Sequence, residues 1–199
     1  MTDDAESADA PDVPDWEDAY VDRVSDRLMF NYDLEKDRRV RDETYTLYGR
    51  MNLQTQKQFL HPSINYANHE SEEHLFVQRR TTLSVADLER AVERAHDLAD
   101  EWIVADETHF GTDFTYAFVV PEISDAVRSF VADFSDRTLI KYGYYGHYEI
   151  SLIVVAPDRE DIVASESADV AQAFSLWDDV DVPVEQPGFV SRLLGRLRR

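Results

Sequence analysis

Cysteine is absent from this chain of 199 residues. That excludes a disulfide framework, a thiolate nucleophile and any cysteine-ligated zinc or iron–sulfur centre. Glycine is scarce, six in all, and they compose no phosphate-cradling loop, no dinucleotide fingerprint and no Gly-x-Ser-x-Gly elbow. Lysine is scarcer still, at Lys36, Lys57 and Lys141, with arginine supplying the other cations. No apolar run approaches the ~18 residues of a membrane-spanning helix, and residues 1–13 lack the basic-then-apolar pattern of a secretion signal. A cytoplasmic location is therefore expected, and no cofactor.

What the chain has in excess is acid. Asp and Glu number 41 against 20 Lys and Arg, a net charge of −21 with an isoelectric point near 4.5. Hydrophobic residues still make up 43%, enough for a core, and the length suits one domain on the prior of roughly 100 to 200 residues each. The excess is spread along the whole chain. In this it resembles the proteins of salt-accumulating extreme halophiles, whose carboxylate-covered surfaces stay hydrated in molar salt. Such charge argues against nucleic acid as a partner. At molar salt, where the Debye length is about 3 Å, that argument weakens.

Residues 1–13 are acidic, without Lys or Arg, and are expected to be a disordered leader. Residues 14–178 are expected to form one α+β domain. A helix should begin at Pro14 and bury Trp16, Tyr20, Val24 and Leu28. After a charged turn over 35–42, strands are expected over 44–53, 58–66 (weakened by Pro62) and 73–80, with a polar loop over 65–72. Ser84 caps the clearest helix, with Asp87 in the capping-box position and an apolar stripe through Val85, Leu88, Val92, Ala95, Ala99 and Trp102. A strand over 114–120, a short helix over 124–134, a strand ending at Ala156 and a last helix over 159–177 complete the body. The fold class predicted is α+β: a mixed, mainly antiparallel five-stranded sheet packed with three or four helices.

The stretch from Thr138 to Pro157 holds the longest apolar run and the densest tyrosine cluster. Its second half reads as a central strand, preceded by an aromatic loop in which Gly143 and Gly146 bracket Tyr144 and Tyr145. Read as one strand from 141 to 151, it would place Lys141, Tyr145, His147, Glu149 and Ser151 on a single face. Lys141, Tyr144, Tyr145, His147 and Glu149 are accordingly the candidate binding residues, for an unidentified protein partner or small ligand.

Six histidines offer metal ligands. His69, Glu72 and His74 are the candidates, joined by His109 or His147 from elsewhere; the two histidines of HESEEH lie five apart, not at the i, i+4 spacing that puts two ligands on one helix face. After a linker over 179–188, residues 189–199 reverse the charge. On a helix Leu193 and Leu197 align on one side and Arg192 and Arg196 on another, a basic amphipathic pattern suited to an anionic membrane surface, a partner or the protein's own acidic surface.

The order helix, three strands, helix, strand is similar to the restriction-endonuclease-like core. That resemblance implies metal-dependent cleavage through a carboxylate and an acid-x-lysine on adjacent strands, yet EEHLFVQRR offers Gln78 and Arg80 instead. Composition together with YDLEKDRRV, LFVQRR and KYGYYGHYE resembles an uncharacterised family of small acidic haloarchaeal proteins. It implies a shared fold and no activity. The function expected is a non-enzymatic binding or interaction domain, with a metal-assisted hydrolase or degenerate nuclease as the alternative.

Overall fold

The structure is a computed structural model and describes residues 14–56 and 68–178. Its elements are α1 (Ala19–Leu28), β1 (Asp33–Val40), β2 (Glu43–Gln56), β3 (Asn68–Arg79), α2 (Val85–Trp102), β4 (His109–Val119), α3 (Asp125–Ala132), β5 (Asp136–Leu139), β6 (His147–Ala156) and β7 (Asp161–Ala164). Short 3-10 segments lie at Ile140–Gly143, Pro157–Arg159 and Asp169–Phe174. The sheet runs β1-β2-β3-β4-β6-β5, with β7 also on β6. β1, β2 and β3 form an antiparallel meander, while β3, β4 and β6 are mutually parallel. β5 and β7 share the outer edge of β6, β5 along its first half and β7 along its second.

Alternation along β6 explains the layering. Ile150, Leu152, Val154 and Ala156 face the layer that holds α2 and α3; Ile153 and Val155 face the layer of α1 and Asp169–Phe174. Side chains from both layers leave Ile150 and Leu152–Ala156 without solvent contact, as expected of the run's central place. On one side α2 starts from Ser84, whose hydroxyl takes the Asp87 N–H while the Asp87 carboxylate takes the Ser84 N–H. Leu88, Ala91, Ala95 and Leu98 of its stripe are buried. On the other side Asp18 caps α1 and is held by Arg79, Trp16 donates its indole N–H to the Thr46 carbonyl at 2.7 Å, and Tyr20 donates to the Phe174 carbonyl at 2.6 Å. Among the described residues, no helix is long and apolar enough to cross a membrane.

Among the described residues the architecture is α+β with a mixed sheet of seven strands, where five were expected. The charged segment over 35–42 is β1 and its hairpin to β2, turned through Arg41 at φ 54°; an edge strand carries charge because solvent meets its outer side. The expected loop over 65–72 is largely the start of β3. α1 begins at Ala19, after Pro14. The last helix is replaced by β7 and a 3-10 segment, because the second half of β6 needs a partner on its outer edge. Ile162 and Val163 pair there, and Ser165 continues the pairing: its hydroxyl accepts the Leu152 N–H and its own N–H reaches the Leu152 carbonyl. The leader, the strand expected over 58–66, the linker and the tail with Arg192, Leu193, Arg196 and Leu197 lie outside the described residues.

Candidate functional site

Strand register places three carboxylates abreast where β4 and β6 begin. Glu73 lies opposite Asp113 and Asp113 opposite Glu149, with Met51 before them and Arg137 after. Registered neighbours share a face, here the α1 face. Toward the middle of the sheet the same face carries Leu75 and then the core residues Val77, Ala117 and Ile153. Toward the strand starts, Gly111 lies opposite His147. A Cβ on Gly111 would sit 3.3 Å from Cε1 of the His147 ring; the missing side chain makes room for that imidazole. Donor atoms of Asp113, His147 and Glu149 consequently all lie within 4.8 Å of one another.

This row carries more negative charge than its cations offset. Asp113 is open to solvent on one side while protein crowds it from the others. Lost hydration, with Glu73, Glu149 and Asp169 nearby, pushes its carboxyl up to about 7 against the opposing pull of Arg137. Burial also raises the Glu73 carboxyl, although Tyr32 donates to it at 2.5 Å. Burial, with Arg137 and His109 adding to it, lowers His147 to about 4. Its imidazole is therefore neutral near pH 7, the form that binds metal.

The α2 face at the same end is built differently. Tyr48, Trp102 and Phe114 enclose His74, which the Tyr48 hydroxyl meets at Nδ1, 2.8 Å away. Burial lowers His74 to about 4 as well. Glu72 stands 3.7 Å from Nε2 and is paired with Arg50. Arg50, Glu72 and His74, with Trp102, Val104, His109 and Thr112, border a cavity of about 230 Å³. His109 links it to the hairpin tip, donating from Nδ1 to the Tyr145 carbonyl at 2.6 Å, which leaves Nε2 to meet the Thr112 hydroxyl at 2.9 Å. Gly146, at φ 73°, lets that tip close on β4: a Cβ there would lie within 2.6 Å of the Phe110 carbonyl carbon.

The structure divides the candidate binding residues. β6 begins at His147, so His147 and Glu149 share a face as expected, but Lys141 and Tyr145 do not join them. Lys141 sits in the 3-10 turn in a left-handed conformation, at φ 48°. Tyr144 and its neighbour Tyr142 stand in solvent, 86% and 95% exposed, and Tyr145 is half-buried. Of the metal candidates, Glu72 and His74 stand 3.7 Å apart on β3 and both border the α2-face cavity. The His69 backbone lies in β3, its side chain outside the described residues. Asp113 and Glu73, which complete the acidic row, were not singled out from sequence. The available signal was an acid at the start of an otherwise buried strand, FGTDFTYAFVV. Gln78 and Arg80 point to Glu43, at the other end of β3.

Comparison with curated proteins and with solved structures returns no match. The family described as "Domain of unknown function (DUF8052)" matches residues 17–176, and the chain belongs to that family.

Proposed function

We propose that this domain is a cation-dependent binding module, holding one divalent metal ion between Asp113, His147 and Glu149. The supporting observation is the convergence of one imidazole nitrogen and two carboxylates from β4 and β6 within 4.8 Å. A bound ion with ligand distances of about 2.1 Å requires only small side-chain rotations from there. A mixed nitrogen and oxygen donor set suits Zn²⁺ or Mn²⁺, and the cation would offset the charge that now raises the Asp113 carboxyl. The hairpin tip that precedes His147 in the chain exposes Tyr142 and Tyr144, an aromatic surface for the partner or ligand the metal helps to hold. A net charge of −21 supports work in a salt-rich cytoplasm as part of this reading, with the basic tail as a second docking element. Titration calorimetry with Zn²⁺ or Mn²⁺ in molar KCl should give one ion per chain; no heat of binding would refute the proposal.

Metal-assisted hydrolysis is the second reading, favoured by Glu73. Its raised carboxyl neighbours the centre and is suited to accepting a proton from a metal-bound water. Metal-dependent turnover of generic phosphodiester or carboxylic ester substrates, lost in Glu73→Gln, would establish it. Stoichiometric metal binding without turnover would leave the binding module.

A further inference from the structure

At the opposite end of the parallel strands, beneath the first turns of α2, lies a second recess of about 70 Å³, bordered by Glu43, Tyr45, Gln78, Arg80, Arg94 and Tyr116 among others. Tyr45 and Tyr116 are each 1% exposed, and their hydroxyls have no hydrogen-bond partner among the described residues. The Tyr45 hydroxyl has Arg94 and Tyr116 close enough to interact with it as weak hydrogen-bond neighbours, but neither contact reaches full hydrogen-bond geometry. A buried hydroxyl left unpaired is costly, and two side by side are uncommon.

The recess has donors in excess of acceptors. Glu43, its main acceptor, already takes Gln78 at 3.1 Å and Arg80 and Arg94 at 3.4 Å. Asp87 takes the N–H and hydroxyl of Ser84 and pairs with Arg90. Arg94 is mostly buried, yet beyond Glu43 it only approaches Asp42, at 3.7 Å. Among the described residues, the two phenols and part of the Arg94 guanidinium have no acceptor at full hydrogen-bond geometry. Burial raises both phenols above their ordinary range, so both keep their protons and each has an O–H to donate.

From this geometry we infer that the recess is a binding site for a small oxyanion, held by the Tyr45 and Tyr116 hydroxyls with Arg94 and Arg80 supplying the charge. An oxyanion answers this set better than water, because it can accept from both phenol O–H groups and the guanidinium N–H groups at once and its charge answers the arginines. The site is independent of the proposed metal centre.

Inorganic phosphate is the probe, titrated by calorimetry and by thermal melting in KCl at constant ionic strength. The full chain is expected to bind one phosphate and to melt higher in its presence. The double variant Tyr45→Phe/Tyr116→Phe keeps the ring packing. Without phosphate it should melt at least as high as the parent, since the unpaired hydroxyls are gone, while its phosphate affinity falls by tenfold or more. Arg80→Gln, at the more exposed rim, should lower the affinity without affecting folding, and Asp113→Asn should leave it unchanged. Absence of phosphate binding in the parent chain, or undiminished binding in the double phenylalanine variant, would overturn the inference.

Discussion

On the α2 face of the sheet end, His74 is stacked on Phe114 with ring centroids 5.2 Å apart, touched by Trp102 at 4.9 Å and held by the Tyr48 hydroxyl, while Arg50 answers Glu72. On the α1 face, one residue along each strand, Glu73, Asp113 and Glu149 stand abreast with His147 and a single arginine. The same strands supply both faces, so backbone geometry is common to them. The first face neutralises its own polar groups and is a structural network beside a cavity. The second accumulates one sign of charge, and such a row is stable when something from outside supplies the other. A histidine paired within the protein and a histidine grouped with several carboxylates near one arginine therefore call for different explanations.

The largest effect expected is at the hairpin tip that joins the two faces. Gly146→Ala forces a side chain into the Phe110 carbonyl at a positive φ, and the loss of stability should be on the order of 3 kcal/mol or more, read by denaturant unfolding. A loss below about 1 kcal/mol would mean the tip is not closed on β4 as described.

Next comes the acid dependence of the paired face. His74 is held at about 4 in the folded chain, against an unfolded value near 6.5. The unfolded chain therefore takes up the proton first on acidification. The stabilisation is complete above about pH 6.5 and is lost as pH falls toward 4, by an amount on the order of 3 kcal/mol. His74→Phe should flatten this limb of the stability-against-pH curve; an unchanged slope would place its origin elsewhere, at His147 first.

The smallest effect is expected at Tyr142 and Tyr144. Exposed as they are, replacing both with serine should alter stability by less than about 0.5 kcal/mol. Any larger change would mean that the tip packs on the body and is not a free surface.

Much of this framework was legible in the sequence, and the failures have physical causes. The capping box at Ser84 and the apolar run of β6 are local signals that tertiary packing reinforced. β1 was misread because DLEKDRRV is charged on both faces, as a sheet edge allows, and reads like a turn until its partner β2 is known. The segment over 159–177 has spacing that fits a helix, yet the unfilled edge of β6 draws Asp161–Ala164 into the sheet. For the site, the two-residue period correctly aligned His147 with Glu149. It could not find Asp113, which lies 34 positions before His147 in the numbering and reaches it only through the parallel register of β4 on β6. Lys141 and Tyr145 were wrongly joined to that face because the left-handed residues Lys141 and Tyr142 break the strand before it begins.

The contrast between the faces can be tested by one pair of conservative changes. Asp113→Asn and Glu72→Gln each remove one carboxylate charge from the same end of the sheet, on opposite faces. In calorimetric titrations with Zn²⁺ in molar KCl, Asp113→Asn should weaken binding by roughly 100-fold, equivalent to about 2.7 kcal/mol, and Glu72→Gln should match the parent chain. Equal losses in the two variants, or a loss confined to Glu72→Gln, would contradict a metal centre on the α1 face.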